Sequence, residues 1–355
     1  MTNAPDPSGT IKVLSIDGGG IRGIIPAIIL DALQKQIGVE LHKVFDLISG
    51  TSTGGIIALG IGAASKGNGP YTPAELLNLY VENGPAIFHK RWFLLLRELF
   101  GPKYSPVALE SCLSQFFHDT RFSSALTPLL ISSYDLQAQA PFFFKSHLIA
   151  QRPNYDWNLA DIARSTSAAP TFFPPNHLTK GNENYTLVDG GVFVNNPAMA
   201  AYAEAQSLYA GAPRFIVVRV GTGNVQDRIT FHQSKRWGLF GWARQIVPVL
   251  MDSTSEAVDY EIEQLPGCEY FNLQPKDLGR ASGAMDDVTP GNLAALEDVA
   301  QTYVVKNAAL LNQIASLLKP LRGNALPGIG KPALSPPAAP AQPFNSSLRQ
   351  SPGPA

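Results

Sequence analysis

Hydrophobic residues in this chain fall in short runs that stop at glycines. Ile11–Ile16 is β-rich and ends at Asp17-Gly18-Gly19-Gly20, which predicts a buried strand halting at a tight loop. Ile25, Ile28, Ile29, Leu33 and Ile37 then recur at helical spacing, so a helix is expected over Ile24–Ile37, with Pro26 tolerated in its first turn. Val44–Ser49 predicts a second strand, followed by the turn Gly50–Gly55 and a buried helix over Ile56–Ala64. Further strands are expected at Leu129–Tyr134, Phe142–His147, Tyr185–Val188 and Phe215–Val220. Further helices are expected at Pro73–Val81, Asn158–Ala168, Ala198–Tyr209, Leu239–Gln264 and Leu293–Leu318. Strands alternating with helices predict an α/β fold, a mostly parallel central sheet flanked by helices, with chemistry at the strand carboxyl ends.

Composition narrows the class. Hydrophobic residues make up 45% of the 355-residue chain and mean hydropathy is +0.01, as expected of a globular protein with a sizeable core. Lys plus Arg number 27 against 28 Asp plus Glu, a net charge of -1, so no nucleic-acid partner is expected. Residues 1–10 read as a flexible leader without the basic start and apolar core of a secretory signal. No run reaches the roughly 20 apolar residues of a membrane span. Two cysteines, Cys112 and Cys268, suit a reducing compartment, so a cytoplasmic location is expected. Nine prolines among residues 320–355 predict a disordered tail, here set at 319–355, leaving one catalytic domain over 11–318.

Three glycine-bounded motifs carry candidate chemistry. Gly50-Thr51-Ser52-Thr53-Gly54 fits Gly-x-Ser-x-Gly between a strand and a helix, where the flanking glycines allow a strained turn that lifts the hydroxyl. Short on its own, the pattern also suits an ordinary turn. Asp17-Gly18-Gly19-Gly20-Ile21-Arg22-Gly23 leaves backbone N–H groups able to converge on an anion, either a phosphate or nucleotide, or the oxyanion of acyl transfer. It matches neither common phosphate fingerprint. Arg22 adds charge there or pins the loop. Asp189-Gly190-Gly191 places a carboxylate at a strand end, where it can act as a base without a histidine or simply cap the turn. A histidine-dependent esterase is the mechanistic rival, with His177 or His232 in the required chain order.

Together these motifs resemble the patatin-like phospholipase family, whose pattern is Asp-Gly-Gly-Gly-x-Arg-Gly, then Gly-x-Ser-x-Gly, then Asp-Gly-Gly. Ala163–Phe173 and Val192–Pro197, on either side of Asp189, also resemble it, and the resemblance spans about residues 11–265. It implies a patatin-like three-layer α/β/α domain that hydrolyses lipid acyl esters through a Ser-Asp dyad. Ser52 would be the nucleophile, Asp189 the base, and Gly18, Gly19 and Gly20 the oxyanion donors, with Arg22 at the family's arginine position. The reaction implied needs no metal and no cofactor. Some family members are switched on by cyclic nucleotides in anti-phage defence, and this chain offers no residue set that marks such a site.

A lipid substrate also requires a place to meet a membrane or micelle. His89–Phe100 and Lys235–Arg244 each mix cations with aromatic and aliphatic residues, as interfacial segments do, although a core-facing helix with a basic edge has the same composition. Phe142-Phe143-Phe144 reads as core strand. Peripheral contact with phospholipid is therefore expected.

Overall fold

The computed structural model describes residues 9–65, 67, 69–89, 101–224 and 229–319. The expected leader (up to residue 8), the tail (from 320) and the segment 90–100 lie outside them. Eight strands form one sheet: β1 (Thr10–Ile16), β2 (Leu47–Gly50), β3 (Leu129–Asp135), β4 (Ala140–Lys145), β5 (Asn176–Lys180), β6 (Glu183–Asp189), β7 (Arg214–Val220) and β8 (Cys268–Leu273). The order is β5-β6-β3-β2-β1-β7-β8, with β4 also on β3. Strands β3, β2, β1, β7 and β8 pair in parallel, while β4, β5 and β6 are antiparallel.

Side-chain alternation along β1 assigns the two faces. Leu14 and Ile16 join the larger core, built with α1 (Ile24–Ile37), α2 (Thr53–Gly62), α3 (Pro73–Ile87), α4 (Val107–Phe117), α5 (Leu159–Thr166), α9 (Pro290–Lys306) and α10 (Ala308–Leu318). Ile11 and Val13 point the other way, into a smaller core with α6 (Ala198–Leu208) and Ile262 of α8 (Leu239–Glu263). The short α7 (Phe231–Ser234) precedes α8. The sheet is thus covered on both faces, as a parallel sheet must be.

Several boundaries differ from the sequence-based expectation. Strand β2 starts only at Leu47, because Leu41–Lys43 form a 3-10 turn that carries the chain into it. Helix α2 begins at Thr53, directly behind Ser52, and uses both Gly54 and Gly55. The expected helix over Leu293–Leu318 is two helices broken at Asn307, whose amide Nδ2 donates to the Tyr303 carbonyl (2.9 Å). Phe144 is fully buried, with Phe142 and Phe143 half-buried beside it.

Register on β3 positions the site. Strand β4 occupies one edge of β3 along its whole length, so β2 and β6 share the other edge. Gly50 pairs with Ile131 and Asp189 with Ser133, two residues further along. Running in opposite directions, β2 and β6 meet head to head, with their carboxyl ends roughly 7 Å apart at about 3.3 Å per residue.

Candidate active site

At the end of β2 the backbone turns sharply: Ser52 has φ 54° and ψ −123°, a conformation rare for a residue with a side chain. Both flanking glycines are sterically required. A methyl group at Gly50 would lie 2.2 Å from the Gly54 carbonyl oxygen, and one at Gly54 would lie 2.2 Å from the Ile16 carbonyl oxygen. The strained turn is held from several sides. Ser52 N–H donates to Thr166 Oγ1 (2.9 Å). The Thr51 hydroxyl donates to the Val194 carbonyl (2.7 Å) and lies 2.6 Å from Ser132 Oγ. The Thr53 hydroxyl donates to Tyr80 Oη (2.6 Å), which in turn donates to the Thr53 carbonyl (2.9 Å).

Asp189 arrives from β6, and its side chain is 2% exposed. The Ser52 side chain lies close enough to its carboxylate to favour the charged form. Gly191 N–H donates to Asp189 Oδ1 at 2.7 Å, so the turn-capping role and the contact with Ser52 coexist. Gly190 packs against Ser132, where a methyl would come within 2.2 Å of the hydroxyl oxygen. Burial raises the Asp189 pKa most, and Ser52 and the bond from Gly191 lower it, leaving it at about 7.

The glycine loop follows β1, and its three amides are not equivalent. Gly18 N–H donates to the Asn195 carbonyl (3.2 Å), which commits that donor. The amides of Gly19 and Gly20 have no partner among the described residues. Gly20 has φ 60° and abuts the Met285 carbonyl, so the loop there tolerates no side chain. Arg22 does not reach into the site. It is buried, with Nε on the Gly19 carbonyl (3.4 Å) and Nη1 on the Gly223 carbonyl (3.1 Å). Of its two sequence readings, the structure realises the pin.

An apolar cavity of about 930 Å3, counting its open mouth, begins at Ser52 and Asp189. Ile56, Leu79, Ile87, Leu113, Phe173 and Met251 are among the residues that line it. Helix α4 supplies Leu109, Cys112 and Leu113, and was not anticipated although those positions carry helical spacing. Thr166, Ser132 and Tyr80 were also missed as supports. Among the described residues no histidine lines the cavity: His177 is exposed on β5, and His232 is exposed on α7 against Phe231. Among the described residues there is no cluster able to hold a metal and no helix long and apolar enough to cross a membrane.

A family model described as "Patatin-like phospholipase" matches residues 14–202. "Patatin-like protein 2" of Arabidopsis thaliana is 33% identical over 351 residues, covering 87% of this chain and 86% of the relative. "Patatin-04/09" of Solanum tuberosum is 32% identical over 329 residues, covering 83% and 84%. Among solved structures, human GIVD cytosolic phospholipase A2 overlaps with a TM-score of 0.44 at 12% identity, covering 88% of this chain and 60% of that one, too loosely to carry an argument.

Proposed function

Because the chain belongs to the patatin-like phospholipase family, we propose that it hydrolyses acyl esters of phospholipids, with Ser52 as nucleophile and Asp189 as base. The observation that carries this reading is that Ser52, on its strained elbow, and the buried Asp189 line the same apolar cavity, with Ser52 close enough to lower the Asp189 pKa. With its pKa near 7, Asp189 takes the Ser52 proton as Oγ attacks the ester carbonyl carbon. The carbonyl oxygen gains negative charge and accepts from the Gly19 and Gly20 amides, each such donor being worth roughly 3 kcal/mol. Collapse of the intermediate breaks the ester C–O bond, and Asp189 returns its proton to the departing lysolipid oxygen. Water then attacks the acyl-serine, again giving its proton to Asp189; the acyl C–Oγ bond breaks, Asp189 returns the proton to Ser52 Oγ, and the fatty acid leaves. No metal takes part in this scheme.

The apolar cavity suits the acyl chain, and the exposed Trp242, Ile246 and Leu250 of α8, next to the cavity-lining Met251, suit contact with a lipid surface. The nucleotide-binding alternative has no observation of its own in its favour, since one of the three loop amides is already bonded to Asn195. Mass-spectrometric analysis of products from mixed phospholipid vesicles tests the proposal. Ser52→Ala and Asp189→Asn are each expected to lower fatty-acid release by about a thousandfold or more. His177→Ala and His232→Ala are expected to stay within about twofold of wild type. Release that survives both dyad changes, or collapses with either histidine, sinks the assignment.

A further inference from the structure

The glycine loop is held by a part of the chain far from the dyad in sequence. Ile21 N–H donates to the Met285 carbonyl (2.9 Å), and a methyl at Gly20 would lie 2.3 Å from that same carbonyl oxygen. Gly20 needs such a hold. Its φ of 60° costs a glycine little, and so do many neighbouring values, so the loop by itself does not fix the direction of the Gly20 amide. That amide is one of the two in the loop without a partner among the described residues. A donor to an oxyanion is worth about a hundredfold or more in kcat only when it is aimed in advance.

The residue that follows Met285 fixes its carbonyl. The Met285–Asp286 peptide is planar, so the carbonyl turns as one unit with the Asp286 Cα. The Asp286 side chain is 11% exposed and gripped twice: Tyr104 Oη donates to Oδ2 (2.6 Å), and Lys103 Nζ pairs with the same oxygen. Both grips come from a segment with its own anchorage. Lys103 N–H donates to the Thr171 carbonyl (2.8 Å) and Tyr104 N–H to the Phe172 carbonyl (2.9 Å). The buried Tyr104 ring packs on Phe88, Phe172 and Phe173, with centroids 5.4, 6.3 and 5.8 Å away. Thr171 is β-branched yet sits at φ 73°, a conformation that persists only where the surroundings impose it. Phe172, Phe173, Met285 and Gly20 all line the catalytic cavity. One run of contacts thus joins the aromatic wall of the cavity, through Asp286, to the glycine loop.

We propose that Asp286 is a positioning residue for the oxyanion hole: the clasp of Lys103 and Tyr104 on its carboxylate sets the Met285 carbonyl, and through it the direction of the Gly20 amide. Asp286 does not itself line the cavity. A bridge that served stability alone would loosen wall and loop together when cut. One that aims the amide acts on the charged intermediate and leaves binding of the neutral substrate as it was. The role rests on the reading of Ser52 as nucleophile and of the Gly19 and Gly20 amides as oxyanion donors.

Steady-state hydrolysis of a soluble short-chain ester by full-length wild type, Asp286→Asn and Tyr104→Phe tests the role. Each variant is expected to lower kcat by about tenfold or more, with KM within about threefold of wild type. Asp298→Asn, 69% exposed on α9, should change neither. Inhibition supplies a readout that loosened packing would not give. An alkyl trifluoromethyl ketone accepts Ser52 Oγ at its carbonyl carbon and presents an alkoxide to the loop, whereas the matching secondary alcohol only fills the cavity. The ketone should bind each variant at least about tenfold more weakly, and the alcohol should stay within about twofold of wild type. A kcat within about twofold of wild type in both variants, or ketone and alcohol weakened alike, would overturn the proposal. If Asp286→Asn does not fold, Tyr104→Phe, which keeps the carboxylate, decides alone. A wild-type protein that neither hydrolyses the ester nor prefers the ketone to the alcohol removes the hydrolase reading, and the role of Asp286 with it. One that does both, with the variants unchanged, removes the role of Asp286 alone.

Discussion

At Asp189, burial and hydrogen bonding pull the pKa in opposite directions, and burial prevails. The carboxylate is held at about 7, where it is half-ionised at neutral pH and well matched to accepting a serine proton. On a soluble short-chain ester, kcat/KM should therefore rise with a single ionisation near pH 7, and a profile flat from pH 5 to 8 would contradict the base assignment. Stability should run the other way. Since the folded pKa lies above the unfolded value of 3.8, the folded state holds the proton more tightly. This contribution is fully present below about pH 4 and is lost as pH rises through 7. Asp189→Asn should remove that loss and raise stability at pH 8, by up to about 4 kcal/mol in urea unfolding at about 1.4 kcal/mol per pKa unit. The opposite sign would mean that the carboxylate is stabilised in its charged form. The sequence places an aspartate beside two glycines. Its exposure, and with it its pKa, comes from the packing of β6 against β3 and α5.

Among the elements, α8 lines the catalytic cavity through Met251 and also faces outward. Trp242, Ile246 and Leu250 are 46%, 39% and 49% exposed and fall four residues apart, a single apolar stripe on one helix face. Lys235 and Arg236 precede the helix, which suits anionic headgroups. Vesicle sedimentation on the Ser52→Ala background should show Trp242→Ala with Leu250→Ser weakening binding at least about tenfold, for a loss of roughly 1.4 kcal/mol or more of apolar burial. Unchanged partitioning would assign the stripe to something other than lipid. Elements with strong periodicity, such as α1, β3 and β7, were legible to within about two residues. Strands β5 and β8 were not, for a physical reason: Asn176–Lys180 buries only Leu178, and Cys268–Leu273 is a half-buried edge strand. Such strands carry no clear alternation of apolar and polar residues.

Across the whole molecule, Arg219 ties the sheet to α8. Its guanidinium bridges Asp17 at the end of β1 and Asp259 on α8, and Asn196, Tyr270 and Asn272 converge on the same Asp259 carboxylate. Arg219 is 3% exposed, and burial already raises the Asp17 pKa to about 6 against the pull of Arg219, so Arg219→Gln breaks a buried ion pair and drives Asp17 to take up a proton. A loss of about 3–5 kcal/mol in chemical unfolding is expected, and a loss under about 1 kcal/mol would show that the network adds little. Nothing local announces this bridge, because its members come from β1, β7, β8 and α8. The same division runs through the site. By itself the sequence determined three strand-to-glycine turns, with Ser52 on a strained elbow that only Gly50 and Gly54 permit, since those constraints act between near neighbours. Tertiary structure alone decided which group meets Ser52, which loop amides stay free and what Arg22 does. Those outcomes depend on the antiparallel register that drives β6 head-on into β2, and on burial, which no short stretch of chain possesses.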